Sequence, residues 1–180
     1  AHRKSGSTFF QRSHRVSQLH KHRDFSMRHF RNDITLLKLA TPVRLSPQVS
    51  PVCLPSSGSR IPAGTRCYIT GWGRTRGGGQ SADILQQAIL PVANDQTCRS
   101  RNSHIIPVDT NSMICAGGQG QNAPGGCQGD SGGPFVCREN NKWVLRGAVS
   151  WGHRMCDTRY FTVFARISAH MNWIIPILKG

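Results

Sequence analysis

Acidic residues, long apolar runs and closely spaced cysteines are all scarce in this chain. Asp and Glu number 8 of 180 residues against 23 Lys and Arg, so the formal net charge at pH 7 is +15. No stretch is apolar for the length that a membrane-spanning helix needs, so the sequence gives no indication of a membrane partner. No two cysteines form a C-x-x-C pair, which argues against a zinc or redox site; no metal and no cofactor are expected.

The basic residues concentrate at the start of the chain. Up to Arg31 there are eight Lys or Arg, against Asp24 alone. One interpretation is a site for heparin-like polyanions, which such a field attracts over long range. The other, which we favour, is a solvated basic face that keeps the protein soluble. Nucleic acid is not an expected partner, because no reading element and no set of stacking aromatics is visible.

The run Gly129-Asp130-Ser131-Gly132-Gly133-Pro134, with Cys127 four positions before the serine, is the most informative motif. A nucleophilic serine needs its hydroxyl exposed on a tight turn, with backbone N–H groups directed at the oxyanion that forms when it attacks a carbonyl. Glycines on both sides permit such a turn and let a substrate backbone come close. The motif therefore predicts a catalytic Ser131.

The motif resembles the nucleophile loop of the chymotrypsin-like (trypsin-fold, peptidase family S1) serine proteases. Further segments from about Arg31 to the C-terminus resemble those of the family in the same order, at residues 32–39, 51–55, 71–73, 113–117, 149–152 and 172–174. The resemblance implies an all-β fold of two six-stranded antiparallel β-barrels followed by a C-terminal α-helix. The first barrel is expected to be only partly present.

This resemblance also implies a division of the chain within one peptidase domain. Residues 1–43 are expected to be the second half of the first barrel, and residues 44–63 the inter-barrel linker. Residues 64–165 are expected to form the second barrel, and residues 166–180 the C-terminal helix.

Local patterns predict individual elements. A half-buried strand is expected over residues 14–19, and another with less regular alternation over residues 34–39. The resemblance implies strands of the second barrel at residues 66–71, 86–92, 134–137, 143–150 and 162–166. A short helix over residues 94–100 should be capped by Asn94. Ser168 is a good N-cap for the C-terminal helix, and Pro176 should end or kink that helix. The residues expected to face the core from this helix are Met171, Ile174, Ile175 and Leu178.

Catalytic roles follow from the resemblance residue by residue. Ser131 would be the nucleophile, and Asp33 the acid that orients the catalytic histidine. The N–H groups of Gly129 and Ser131 would form the oxyanion hole, and Asp130 would pair with the α-amino group that zymogen activation frees. The family carries its histidine in an Ala-Ala-His-Cys motif, which does not occur here. We therefore expect this histidine on a missing N-terminal segment or chain, and little activity from these residues alone.

Substrate preference is inferred from the positions that form the family's substrate site. The residue six before the serine lies at the base of the family's S1 pocket; here it is Gly125, which with Gly126 offers no charge for a Lys or Arg side chain. Gly152 should leave the entrance open, and Thr162 should narrow the far end. Aromatic or medium apolar P1 residues are therefore expected, with chymotrypsin-like preferred over elastase-like cleavage. The remaining expected substrate contacts come from Gln128, Ser150 and Trp151.

The seven cysteines form an odd set typical of an oxidised, secreted framework. The resemblance implies the disulfides Cys67–Cys137, Cys98–Cys115 and Cys127–Cys156. Cys53 is left over, and its expected partner lies in the missing segment.

Two functions remain open. The first is a secreted, extracellular serine endopeptidase that hydrolyses protein or peptide substrates through an acyl-enzyme and is open to protein protease inhibitors. The second is a non-catalytic serine-protease homologue that binds polyanions or a partner protein. Intact Asp33, Ser131 and Gly129 favour the first.

Overall fold

The computed structural model describes residues 2–6, 9 and 11–180. Strand β1 (Val16–Lys21) pairs antiparallel with β2 (Thr35–Leu39) in a two-stranded sheet. These are the two named strands within the part of residues 1–43 that the structure describes. Residues 1, 7, 8 and 10 of the expected first half-barrel lie outside the described residues.

Six further strands form a curled antiparallel sheet. They are β3 (Arg66–Gly71), β4 (Gln86–Pro91), β5 (Met113–Gly117), β6 (Pro134–Glu139), β7 (Lys142–Trp151) and β8 (Phe161–Arg166). The strand order is β4-β3-β6-β7-β8-β5. The two edge strands approach each other through a bridge between Val92 and Ala116. The predicted all-β fold is confirmed, and the strand β5 is an addition that the sequence patterns did not predict.

Side chains from both halves of this sheet fill its interior. Leu90, Phe135 and Phe164 are completely buried, and the two phenylalanine rings stack with centroids 4.3 Å apart. The disulfide Cys67–Cys137 lies in the same core and joins β3 to β6. Burial of this apolar surface is the main force that curls the sheet around its interior.

The helix α1 (Asp95–Asn102) connects β4 to β5. Asn94 caps it as predicted, because its side-chain oxygen accepts hydrogen bonds from the N–H groups of Gln96 and Thr97. The helix runs two residues beyond the predicted end.

The C-terminal segment differs from its prediction in three ways. It begins as a 3₁₀ helix (Ile167–His170), so Ser168 is a buried residue inside a turn rather than the N-cap. The following α2 (Met171–Lys179) continues through Pro176, which is solvent-exposed. The carbonyl deprived of a donor is that of exposed Asn172, so water can take the donor's place. Ile175 and Leu178 are 38% and 60% exposed rather than facing the core.

Besides the core inside the six-stranded sheet and a second cluster around Cys98, Trp151 and Val163, a third core cluster ties the C-terminal segment to both sheets. Its buried members are Ile167, Met171 and Ile174. The half-buried residues that pack against them are Trp173 of α2 and Ile34, Leu36, Leu145 and Ala148. The C-terminal helix therefore holds the β1–β2 sheet beside the six-stranded sheet.

The first strand is also more exposed than predicted. β1 begins at Val16 rather than His14, and its pattern is largely exposed, with Leu19 60% accessible. No helix in the described part of the chain has the length and apolar character needed to cross a membrane.

Candidate active site

Ser131 lies on a double turn that leads into β6. Asp130 N–H donates to the Cys127 carbonyl at 3.0 Å, and Gly133 N–H donates to the Asp130 carbonyl at 2.8 Å. Gly132 has φ +78°, a conformation that favours glycine, and its N–H donates to the Val149 carbonyl at 2.8 Å. The turn is thus anchored to β7, with Ser131 exposed at its tip.

Two backbone donors beside Ser131 lack a protein partner. In the region that the structure describes, neither the Gly129 N–H nor the Ser131 N–H donates to a protein acceptor. Unpaired N–H groups next to an exposed hydroxyl are what the stabilisation of an oxyanion requires.

The Asp130 carboxylate is seated on a surface made by two glycines. Its Oδ1 accepts from Gly73 N–H at 2.8 Å, and its Oδ2 accepts from Cys127 N–H at 3.1 Å. A Cβ on Gly71 or Gly73 would collide with this carboxyl group. The Gly71-Trp72-Gly73 motif is therefore explained by the close approach of Asp130.

Asp33 reaches the same region from the loop before β2. It is half-buried, and its Oδ2 accepts a hydrogen bond from Ser150 Oγ at 2.6 Å. Ser150 lies on β7 immediately after Val149, whose carbonyl and N–H bind the Ser131 turn. Strand β7 therefore brings Asp33 and the Ser131 turn to neighbouring positions, although they are distant in sequence.

A histidine is not brought into this group. Among the described residues, no hydrogen bond joins a histidine to Ser131 or Asp33. The histidines before Asp33 lie elsewhere, at residues 2, 14, 20, 22 and 29. Within the part of the chain that the structure describes, the arrangement brings together an exposed serine hydroxyl, a carboxylate and two N–H groups without a protein acceptor, and no histidine is hydrogen-bonded to the serine or the carboxylate.

A cavity of about 270 Å³ opens beside Ser131. The substrate-site residues expected from the sequence that line it are Gly126, Gln128, Ser150, Trp151, Gly152 and Thr162. Among the described residues that line it, His153 and Arg154 carry the ionisable side chains and none carries a carboxylate.

Thr162 fills the far side of this cavity. Its Oγ1 accepts from Gly126 N–H at 2.9 Å, and a Cβ on Gly126 would come within 2.8 Å of its methyl group. Gly125 lines the neighbouring cavity, which also contains Asp130, and a Cβ there would lie 3.1 Å from the Thr158 methyl. Gly125 therefore lies between Thr158 and Thr162, and the sequence reasoning did not predict Thr158 as a neighbour of this site.

Three disulfides are present, with the pairings that the resemblance implies: Cys67–Cys137, Cys98–Cys115 and Cys127–Cys156. The last one links the start of the Ser131 turn to the loop that follows β7. Cys53 is a free, exposed cysteine whose backbone pairs with β7. No group of three or more His, Cys, Asp or Glu suited to a metal ion occurs within the described residues.

Comparison with known proteins agrees with this geometry. The family model described as Trypsin matches residues 2–174. Transmembrane protease serine 9 of Rattus norvegicus is 40% identical over 161 residues, which are 89% of this chain. The match spans 15% of the length of that relative.

Proposed function

Because the chain belongs to the trypsin family of serine proteases, we propose that it acts as a serine endopeptidase with Ser131 as its nucleophile. The observation that carries the proposal is the convergence on β7 of the exposed Ser131, two unpaired N–H groups and the Asp33–Ser150 pair. Each of these is a component that peptide hydrolysis by an acyl-enzyme requires.

The proposed reaction uses these groups in two steps. Ser131 Oγ attacks the peptide carbonyl while a histidine removes its proton, and the N–H groups of Gly129 and Ser131 bind the oxyanion. The same histidine protonates the leaving amine, giving the acyl-enzyme, which water then hydrolyses. Asp33, held by Ser150, orients this histidine and stabilises its protonated form.

The catalytic histidine is proposed to come from residues outside this sequence. The β1–β2 sheet supports this, because Leu19 and Leu37 are direct cross-strand neighbours and are 60% and 57% exposed. An apolar pair of this kind on a two-stranded sheet is suited to packing against further strands. The exposed Cys53 is proposed to form a disulfide with the same segment.

Asp130 is proposed as the acid that orders the oxyanion loop on activation. Its carboxylate already bridges the loop and the Gly73 backbone, and it borders a cavity of about 170 Å³. An α-amino group entering that cavity would meet the carboxylate and fix the loop.

For specificity, we propose cleavage after uncharged apolar P1 residues. Thr162 lines the cavity and no described lining residue is a carboxylate, so a Lys or Arg side chain would be buried there without a partner. Aromatic or medium apolar P1 residues are proposed, with chymotrypsin-like preferred over elastase-like cleavage, because Thr162 packs against Gly126 and narrows the cavity without closing it. The three disulfides support a secreted, extracellular location.

The test uses the full natural protein and its S131A variant, expressed in the same way. A fluorophosphonate probe should label Ser131, with S131A as the unlabelled control, and a peptide library should report an apolar P1 preference. Cleavage after Lys or Arg would overturn the specificity. A natural protein that neither reacts with the probe nor cleaves peptides would instead favour the non-catalytic homologue.

Intact mass before and after reduction tests the Cys53 proposal. Loss of a linked peptide on reduction is expected. An unchanged mass would refute a disulfide to a second chain.

A further inference from the structure

His170 is a buried histidine close to Asp33. It ends the 3₁₀ helix, is 3% exposed, and directs its ring at the loop that precedes β2. Its Nδ1 lies 2.7 Å from the Arg166 carbonyl oxygen, and its Nε2 lies 3.2 Å from Asn32 Oδ1. Asn32 is the residue immediately before Asp33.

Both partners of this ring are hydrogen-bond acceptors. The Arg166 carbonyl cannot donate, so Nδ1 must carry a proton. The Asn32 amide is oriented by its own Nδ2, which donates to the Asp24 carbonyl at 3.1 Å, so its oxygen faces His170. Reversing the amide would only place two oxygens against each other at Asp24. Both bonds of His170 therefore exist together only in the doubly protonated ring.

The groups around the ring allow this charge but do not fix it. His22, which follows β1, packs edge-on against the His170 ring with ring centroids 5.7 Å apart, and its Nδ1 accepts a hydrogen bond from Asp24 N–H at 3.2 Å. The Arg166 guanidinium binds the Met113 carbonyl and Asp95, away from the ring.

No carboxylate pairs with His170 in the described structure. Asp33 accepts from Ser150, and the exposed Asp24 lies 3.7 Å from Arg23. Burial lowers the pKa of His170 below its ordinary 6.5, the bond to the Arg166 carbonyl raises it, and His22 lowers it. His170 therefore gains its second ring proton only at a pH below the ordinary pKa of histidine.

The loop that His170 holds has an unfavourable backbone. Phe30 and Asn32 have φ angles of 50° and 53°, which residues other than glycine adopt at a cost of about 1 kcal/mol or more each. Ile34 N–H donates to the Asn32 carbonyl at 2.8 Å, so a hydrogen bond between its two neighbours spans Asp33. The side-chain bonds of Asn32 to Asp24 and His170 keep this conformation.

We propose that His170 is a positioning residue which, when protonated, holds Asn32 and thereby keeps the Asp33 carboxylate against Ser150. The link from this geometry to catalysis rests on the proposed role of Asp33. When His170 loses its Nε2 proton, its hydrogen bond to Asn32 is lost. The loop that carries Asp33 is then held by one hydrogen bond fewer.

The first experiment measures the ring itself, in the full natural protein labelled with ¹⁵N. Below the His170 pKa both ring nitrogens should be protonated, and on titration Nε2 should lose its proton while Nδ1 keeps its own. N32A should lower that pKa, and N32D should raise it because a carboxylate then faces the ring. N111A, at an exposed site, is the matched control and should change nothing. A ring that keeps its proton on Nε2 at high pH would overturn the proposal.

The second experiment measures the consequence for Asp33. H170F should lower kcat about five- to tenfold at the pH where His170 is charged, with KM little changed, as expected for loss of one hydrogen bond. H170Q can still donate from its amide to Asn32 and should restore most of kcat, without the dependence on His170 titration. Urea unfolding should first show that the parent and H170F are both folded. Equal kcat values for the two folded proteins would overturn the proposal.

The two proposals can fail separately. If the parent protein hydrolyses no substrate, the proposed function fails, and the Asp33 carboxyl ¹³C resonance decides the inference. It should shift as His170 titrates in the parent and stay constant over that range in H170Q. An Asp33 carboxyl chemical shift that does not change as His170 titrates in the parent would refute the positioning role.

Discussion

Asn102 offers the sharpest test of how the start of β8, which carries Thr162 to the cavity beside Ser131, is held in place. It is completely buried at the end of α1, and its side chain makes two hydrogen bonds to the backbone of Phe161. Nδ2 donates to the Phe161 carbonyl at 2.9 Å, and Oδ1 accepts from the Phe161 N–H at 3.1 Å. Phe161 begins β8 and directly precedes Thr162, which lines the cavity beside Ser131. Asn102→Ala should therefore destabilise the fold and loosen the wall of that cavity at Thr162.

The expected cost follows from the groups left behind. Alanine leaves one buried N–H and one buried C=O without partners, each costing about 1–3 kcal/mol. The smaller side chain also leaves a cavity, while the buried amide no longer has to be desolvated. The net loss of unfolding free energy should be about 2–5 kcal/mol. This is a large share of the roughly 5–15 kcal/mol that stabilises a typical domain.

Urea unfolding of the full chain, followed by tryptophan fluorescence, measures this loss. Asn111→Ala is the matched control, because Asn111 is exposed and only its backbone N–H is bonded, to Asp109. The control should change the unfolding free energy by less than about 0.5 kcal/mol. A similarly small change for Asn102→Ala would refute the inference that these two bonds hold the start of β8.

Three further outcomes are expected. Gly73→Ala should displace the carboxylate that it seats and lower kcat by about 10²–10³, the scale of losing an oxyanion donor, as steady-state kinetics with S131A as blank would show. Replacing Cys67 and Cys137 by alanine should cost about 4 kcal/mol in urea unfolding, because the disulfide closes a loop with a sequence separation of 70. The hydrogen bonds from Arg159 hold the pKa of Asp157 at about 2, so the stability from this pair is complete above pH 3.8 and is lost as pH falls towards 2. Arg159→Ala should return the carboxyl ¹³C midpoint towards 3.8, and an unchanged midpoint would contradict the assignment.

Features set by local sequence were predictable. The strand β3 has the predicted bounds, Asn94 caps α1, and the Ser131 turn is formed by the glycines that flank it. In each case the residues that decide the conformation are within a few positions of one another. Motif order also implied the three disulfides.

Features set by distant partners were not predictable. Ser168 has the chemistry of an N-cap, but it lies inside the 3₁₀ helix Ile167–His170, where packing of Ile167 in the third core cluster buries it. Asn102 and His170 are polar residues with no local signal, and their partners are Phe161 and Asn32. Only the tertiary fold shows that each supports a residue next to the site.

A β-bulge in β7 explains how one strand packs in the core, binds Asp33 and lines the cavity beside Ser131. Val149 pairs with Phe164 and Trp151 pairs with Val163, so Ser150 is an extra residue between them. Without the bulge Val149 and Trp151 would share a face, but here Val149 packs in the sheet interior and Trp151 packs with Cys98 and Val163 of the second cluster.

The extra residue is the one that binds Asp33. Bulges re-aim side chains and disrupt the ladder locally, and here this leaves Ser150 to face the loop before β2 while Trp151 lines the cavity beside Ser131. A regular strand in this place would put the Val149 and Trp151 side chains on one face. The bulge therefore allows Val149 to pack in the sheet interior while Trp151 lines the cavity beside Ser131.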